Sequence, residues 1–250
     1  AIVVLGGIKR IAEVASYLVP FMGSIYFGAM LIAIVLNINL VIPAFSLIIT
    51  DAFSGTAIAG GTFFGVLIYG VRRGAFSNEA GMGTESLVHG VAKVSNPVKQ
   101  GLVAMTGPIF DTLIICTATA LMILISGVWE TSASQGVTLT AEAFSSLLGS
   151  FGGFVLFACV ICFGLSTIFT YSYYGASCSR FLFGKLGMRF YIYLYIISIF
   201  VYSIVPIDIA INIADGAFAM MAIPTLVSAL WLAPKVMQAS KNYFKIIEGR

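Results

Sequence analysis

The chain has 250 residues, of which 60% are hydrophobic and 9% charged, with a formal net charge of +3 and a mean hydropathy of +1.04. Soluble domains carry about 25% charged residues, so this composition excludes an ordinary soluble domain and places the chain in the membrane class. No basic stripe of the kind that binds nucleic acid is present. The four cysteines (Cys116, Cys159, Cys162 and Cys178) sit in or beside apolar segments without metal-ligand or secreted-scaffold spacing, and are read as small packing residues.

The sequence opens without Met on AIVVLGGI, too short to span a bilayer and lacking a signal-peptide pattern. Residue 1 is therefore read as the cut edge of a longer protein. A spanning helix needs about 20 apolar residues. Six crossings are expected, at Ala15–Ile38, Thr56–Val94 (interrupted), Val98–Ser126, Ser150–Tyr174, Arg189–Val205 and Ile209–Ala233. Two short interfacial helices are expected between them. One is Ile42–Phe53, and the other is Thr140–Leu148, with Thr140 as cap and Glu142 in its first turn.

The basic residues set an orientation. Lys9 and Arg10, then Lys93 and Lys99, then Arg180, Lys185 and Arg189, and finally Lys235, Lys241, Lys245 and Arg250 all fall on one side of the six crossings. That is 11 of the 13 Lys and Arg residues, and the loops on the other side have none. By the positive-inside rule that side, with the C-terminus, is the cytoplasm, in a multi-pass protein of the plasma (inner) membrane. The exceptions are Arg72 and Arg73, inside the second crossing. An arginine near a helix centre costs about 2.5–3.5 kcal/mol on insertion scales, so acidic partners are expected, with Glu79 and Asp111 as candidates.

The second crossing carries the most informative stretch, GAFSNEAGMGTES at residues 74–86. In hydrocarbon every backbone polar group needs an internal partner. A helix that breaks itself at that depth offers carbonyls from one half and N–H groups from the other, suited to a cation and a carboxylate. Gly74, Gly81 and Gly83 flank the expected join, and Phe76, Ser77, Asn78 and Glu79 line it. Close small-residue packing is the alternative reading, but it does not require Asn78 and Glu79. Asp111, inside the third crossing, is read as a counter-charge for Arg72 or Arg73 in preference to an ion-coupling group. For Asp215, in the sixth crossing, the same two roles stay open. His89, one turn beyond Glu85, is read as part of a polar pair near the cytoplasmic mouth in preference to a proton relay. The aromatic run from Phe190 to Ser203 is assigned to lipid and interface.

The run RRGAFSNEAGMGTES resembles the signature of the alanine/glycine:cation (sodium:alanine) symporter family. GGIKRIAEVASYLVPFM, NPVKQG, FDTLIICTATAL, LSTIFTYSYYG and INIADGAFAMMAIPTL agree with it in order and position. The resemblance covers nearly all of the chain. It implies an all-α polytopic protein of leucine-transporter-like inverted-repeat architecture, one transmembrane transporter domain over residues 1–250. The six crossings, one of them broken, would be the last helix of the first repeat plus the complete second repeat, with the N-terminal half of the protein absent. It further implies that the adjacent hydroxyls Ser166 and Thr167 help ligate a sodium ion, although by themselves they read as bonding back to carbonyls one turn earlier. Four positions depart from the family pattern. Ile211 stands where a tryptophan is usual and is expected to border the substrate, Thr84 and Glu85 replace small residues, and Ala176 replaces a common Glu.

The expected function is sodium-coupled symport of a small neutral amino acid by alternating access, in contact with membrane lipids and without enzymatic chemistry. Transport of another solute or proton coupling on the same fold is the alternative, as is a passive channel. An intramembrane hydrolase would need a nucleophile–base constellation that one His does not supply.

Overall fold

The structure is a computed structural model that describes residues 7–53 and 62–248. Every regular element among them is helical. In chain order they are α1 (Gly7–Leu36), α2 (Ile38–Ala52), α3 (Thr62–Asn78), α4 (Thr84–His89), α5 (Pro97–Pro108), a π-helical segment (Ile109–Cys116), α6 (Thr117–Ser126), α7 (Val128–Thr131), α8 (Val137–Tyr202) and α9 (Ile207–Glu248).

Four of the described helical stretches are long and apolar enough to cross a membrane: Arg10–Leu36, Pro97–Ser126, Val137–Tyr202 and Ile209–Ile247. The third is 66 residues long but not one rod. Gly149 (φ 67°, ψ −162°) and Gly184 (φ 70°, ψ −160°) leave helical geometry, in a region of backbone space open almost only to glycine. They divide α8 into 137–148, 150–183 and 185–202. The first piece matches the expected interfacial helix, and the other two match the fourth and fifth crossings. α2 likewise matches the first interfacial helix. The second expected crossing is represented by α3 and α4, and its residues 56–61 lie outside the described chain.

Two boundaries differ from expectation. Thr140 does not cap the helix that starts α8. The chain turns at Gly136 (φ 61°), helix begins at Val137, and the Thr140 hydroxyl donates to Gly136 O from inside the first turn. Glu142 is instead tied to the preceding loop, accepting from Ser134 Oγ at 2.6 Å. The sixth crossing also continues far past Ala233. α9 has 42 residues, about 63 Å of helix, against a hydrocarbon core of about 30 Å.

The chain divides into two compact units, Ala1–Gly70 with Leu113–Ile192 and Val71–Thr112 with Tyr193–Arg250. In the first, Tyr26, Ala29, Met30 and Ala33 of α1 pack on Ala118 and Met122 of α6 and on Phe144, Val155 and Cys159 of α8. Lipid tails are as apolar as these side chains, so the gain comes from van der Waals fit, and the alanines let the helices approach. Tyr26 anchors the contact through a 2.9 Å hydrogen bond with Thr119 Oγ1 and a stacked contact with Phe144. In the second unit α4 packs on α5, and α5 packs on the C-terminal part of α9. The break at residues 79–83 lies in this unit.

Candidate functional site

The first half of the broken helix runs past Gly74, the nearer of the glycines expected to flank the join. α3 continues through Gly74 to Asn78. It stops where three residues adopt left-handed backbone: Glu79 (φ 53°), Gly81 (φ 77°) and Gly83 (φ 84°). Among the described residues Glu79 is the one non-glycine with positive φ. Such a conformation costs an L-residue about 1–2 kcal/mol, so the surrounding structure must hold it. Glu79 N donates to Phe76 O at 3.3 Å, and Met82 N donates to Glu79 O at 3.2 Å, which closes the break into a tight turn.

α4 then begins at Thr84, pressed against α9. A Cβ at Gly83 would lie 2.8 Å from Thr225 Oγ1, so Gly83 is required both by its dihedral and by the approach of α9. Thr225 donates its hydroxyl to Met221 O at 2.9 Å. Beside it Thr84 is 2% exposed, and among the described residues its Oγ1 is buried with no hydrogen-bond partner.

The end of α3 is fastened by side chains from the π-helical segment. Pro108 cannot donate to the carbonyl four residues before it, and the following turns widen to π geometry. Asp111 and Thr112 are carried on that segment. Ser77 donates its hydroxyl to Asp111 Oδ2. Asn78 donates to Thr112 Oγ1 at 2.7 Å, and Thr112 is 3.1 Å from Asn78 Oδ1. One turn earlier on α3, Arg72 forms an ion pair with Asp215 of α9. Phe76 meets Phe218 edge-on, with centroids 4.8 Å apart. Ile211 sits one turn before Asp215 on α9, 37% exposed.

The structure thus brings Asp111 and Asp215 onto the last two turns of α3, where Arg72, Phe76, Ser77 and Asn78 each have a separate partner. The counter-charge of Arg72 is Asp215, which takes one of the two roles left open for it, in place of Glu79 or Asp111. Asp111 serves the Ser77 hydroxyl, because the π segment turns it toward the last turn of α3. Arg73 follows Arg72 within α3. His89 pairs with Gln100 of α5, its Nδ1 2.7 Å from Gln100 Nε2.

Ser166 and Thr167 belong to the other unit, on residues 150–183 of α8. Both hydroxyls donate to Phe163 O, at 2.8 and 2.9 Å, which is the back-bonding common in membrane helices. Each oxygen keeps lone pairs that can accept from a donor or face a hard cation. Among the described residues no group of three or more His, Cys, Asp or Glu is placed to hold a metal. Oxygen donors of hydroxyls, carbonyls and single carboxylates are the available chemistry.

Residue reading from sequence missed Thr112, Thr225, Phe218 and Gln100. A proline three residues ahead of an Asp-Thr pair was the available signal for Thr112. Nothing in sequence spacing pointed to Thr225, which reaches the break only through packing of α9.

Long apolar helices, one of them broken by glycines and fastened by charged and hydroxyl side chains, define a multi-pass membrane protein. The model of the sodium:alanine symporter family matches residues 1–249, and the chain belongs to that family. It is similar to an uncharacterized transporter of Haemophilus influenzae, at 36% identity over 249 residues. It is similar to the sodium/alanine symporter AgcS of Methanococcus maripaludis, also at 36% over 249 residues. Each of these alignments covers 98% of this chain and 55% of the relative. Similarity to the probable sodium/glutamine symporter GlnT of Bacillus subtilis is 34% over 242 residues, 96% of this chain and 51% of the relative. The chain spans about half the length of these relatives.

Proposed function

We propose that the protein carrying this chain imports a small neutral amino acid together with sodium, by alternating access, across the plasma (inner) membrane with its C-terminus in the cytoplasm. The observation that carries this reading is the break over residues 79–83, held between α3 and α4 by the Ser77–Asp111, Asn78–Thr112 and Arg72–Asp215 contacts. A helix C-terminus presents carbonyls without intrahelical partners and about half a negative charge, which suits the substrate ammonium near Ser77 and Asn78. Gly81 and Gly83 allow close approach of substrate to backbone, Glu79 and Phe76 bound the same turn, and Ile211 borders the pocket. The substrate carboxylate is held by backbone and side-chain donors at the break. Sodium is cargo, received by oxygen ligands that include Ser166 and Thr167. Each sodium entering down the membrane potential contributes about 2.3 kcal/mol per 100 mV to substrate accumulation.

The names of the relatives support a sodium-coupled amino-acid carrier, and they support two substrate sizes, alanine for AgcS and glutamine for GlnT. Glutamine is therefore the second reading for substrate, favoured by an isoleucine at 211 in place of a bulkier aromatic ring.

Ligand-induced stabilisation of the purified natural protein separates these readings. A ligand at about 100 times its Kd stabilises the native state by about 2.7 kcal/mol, and sodium and substrate binding to one state should reinforce each other. Alanine should raise Tm in sodium and far less in choline. A larger rise with glutamine selects the second substrate. Equal shifts in sodium and choline would contradict sodium coupling.

A further inference from the structure

We infer that the cleft between the start of α5 and the C-terminal part of α9 binds an anionic phospholipid of the cytoplasmic leaflet, phosphate against Lys235 and acyl chain along the apolar walls. The cleft has a volume of about 550 Å³, and its walls are formed by Val98, Leu102 and Met105 of α5 and Val236 of α9. It is open at its base because Gly101 has no side chain and nothing within 4 Å of where one would be. Lys235 lines it, and no acidic residue does. Among the described residues Lys235 makes no hydrogen bond or ion pair, whereas Lys99, beside Val98 on α5, donates to Ser95 Oγ at 3.2 Å.

Depth agrees with a head group. Lys235 lies 28 residues after Ile207, about 42 Å along α9, past the length that crosses about 30 Å of hydrocarbon. α5 begins at this same end, with Pro97 at its first position and Asn96 capping Val98 N at 2.9 Å, so its positive dipole end lines the cleft. A cation and the Ser240 hydroxyl in a mainly apolar cleft, at the boundary where anionic lipids concentrate, match a molecule with a phosphate at one end and hydrocarbon at the other. A zwitterionic lipid brings its own ammonium and loses the advantage. Free phosphate has no use for the apolar walls. The leaflet named here rests on the orientation proposed above, while the lipid class rests on the cleft.

Native mass spectrometry of the purified natural protein with phosphatidylglycerol or phosphatidylethanolamine tests this directly. Phosphatidylglycerol should be retained about fivefold more, the factor that one lysine near a membrane surface supplies. Lys235→Glu should bring retention down to the phosphatidylethanolamine level, and Ala239→Trp should do so by filling the cleft. Lys185→Glu, in the other unit, should leave retention unchanged. Undiminished retention in Lys235→Glu overturns the inference, as does equal retention of the two lipids or displacement by inorganic phosphate. Loss of stability in Ala239→Trp with no lipid retained in the parent protein would mean that a protein segment fills the cleft, and would also overturn it. Labelling of Ser240→Cys by an impermeant maleimide reads orientation separately: access from the outer side contradicts the leaflet and leaves the lipid result to stand by itself.

Discussion

Arg72 and Asp215 are partners in one ion pair but live in different surroundings: the carboxylate side chain is 7% exposed and the guanidinium side chain 56%. The pair joins the last turns of α3 to α9 close to the helix break. Its two halves are not equivalent in what they leave behind when one is removed.

Arg72→Gln strands an enclosed carboxylate, the situation that costs about 3–5 kcal/mol when a buried pair is broken. Asp215→Asn leaves the Arg72 charge inside a membrane crossing without its partner, but on a long side chain that can snorkel out of the hydrocarbon, and should cost less, about 2.5–3.5 kcal/mol or below. Denaturation of the two variants in the same detergent should show Arg72→Gln as the weaker protein, with the double variant recovering part of the loss. Equal losses would mean that the pair is symmetric and its enclosure irrelevant.

Gly83→Ala meets two obstacles, a left-handed backbone and a Cβ placed 2.8 Å from Thr225 Oγ1. Thr225→Ala removes the second obstacle alone. Expression and thermal stability should fall in Gly83→Ala and recover partly in the double variant, leaving about 1–2 kcal/mol of backbone strain. Full recovery would show that only the contact mattered, and no recovery that α9 is not what presses on the turn.

The Asn78–Thr112 bond ties the last turn of α3 to the π segment. A double-mutant cycle with Asn78→Ala and Thr112→Val should show coupling of about 0.5–3 kcal/mol, as for other residues within one hydrogen-bond network. Additive losses would mean that the two helices are held by other contacts. Because the bond also shapes the proposed substrate pocket, the affinity for substrate should fall with it.

Much of this was legible in the sequence, for identifiable reasons. Glycine spacing in residues 74–86 located a break because only glycine adopts left-handed backbone at little cost, and the length of the apolar runs marked the long helices. The boundaries of the break were less legible. Gly74 was as good a candidate as Gly81 until Ser77 and Asn78 were seen to be fastened to Asp111 and Thr112, which keeps α3 helical for one more turn. The identity of Arg72's partner was hidden for a similar reason. Asp111 and Asp215 are both lone carboxylates in apolar helices, and only the π turns after Pro108 decide which faces Ser77 and leaves Asp215 to Arg72. Ser166 and Thr167 show the opposite case: their hydroxyls satisfy themselves within their own helix, so a sodium role there is carried by oxygen chemistry and family resemblance, not by an unsatisfied group.

Replacing both hydroxyls, Ser166→Ala with Thr167→Ala, should raise the sodium concentration for half-maximal substrate binding by about tenfold, equivalent to about 1.4 kcal/mol. Substrate affinity at saturating sodium should change little. If sodium dependence is unaltered while stability shifts by a few tenths of a kcal/mol, the hydroxyls only bond to Phe163 O and sodium binds elsewhere.

Coupled uptake is the most direct test of the proposed function. Proteoliposomes containing the natural protein should accumulate labelled alanine, or glutamine if the pocket is the larger one, when an inward sodium gradient is imposed. They should fail to do so with choline in place of sodium. Accumulation that is the same in choline, or none for any neutral amino acid under any cation gradient, would contradict sodium-coupled amino-acid symport.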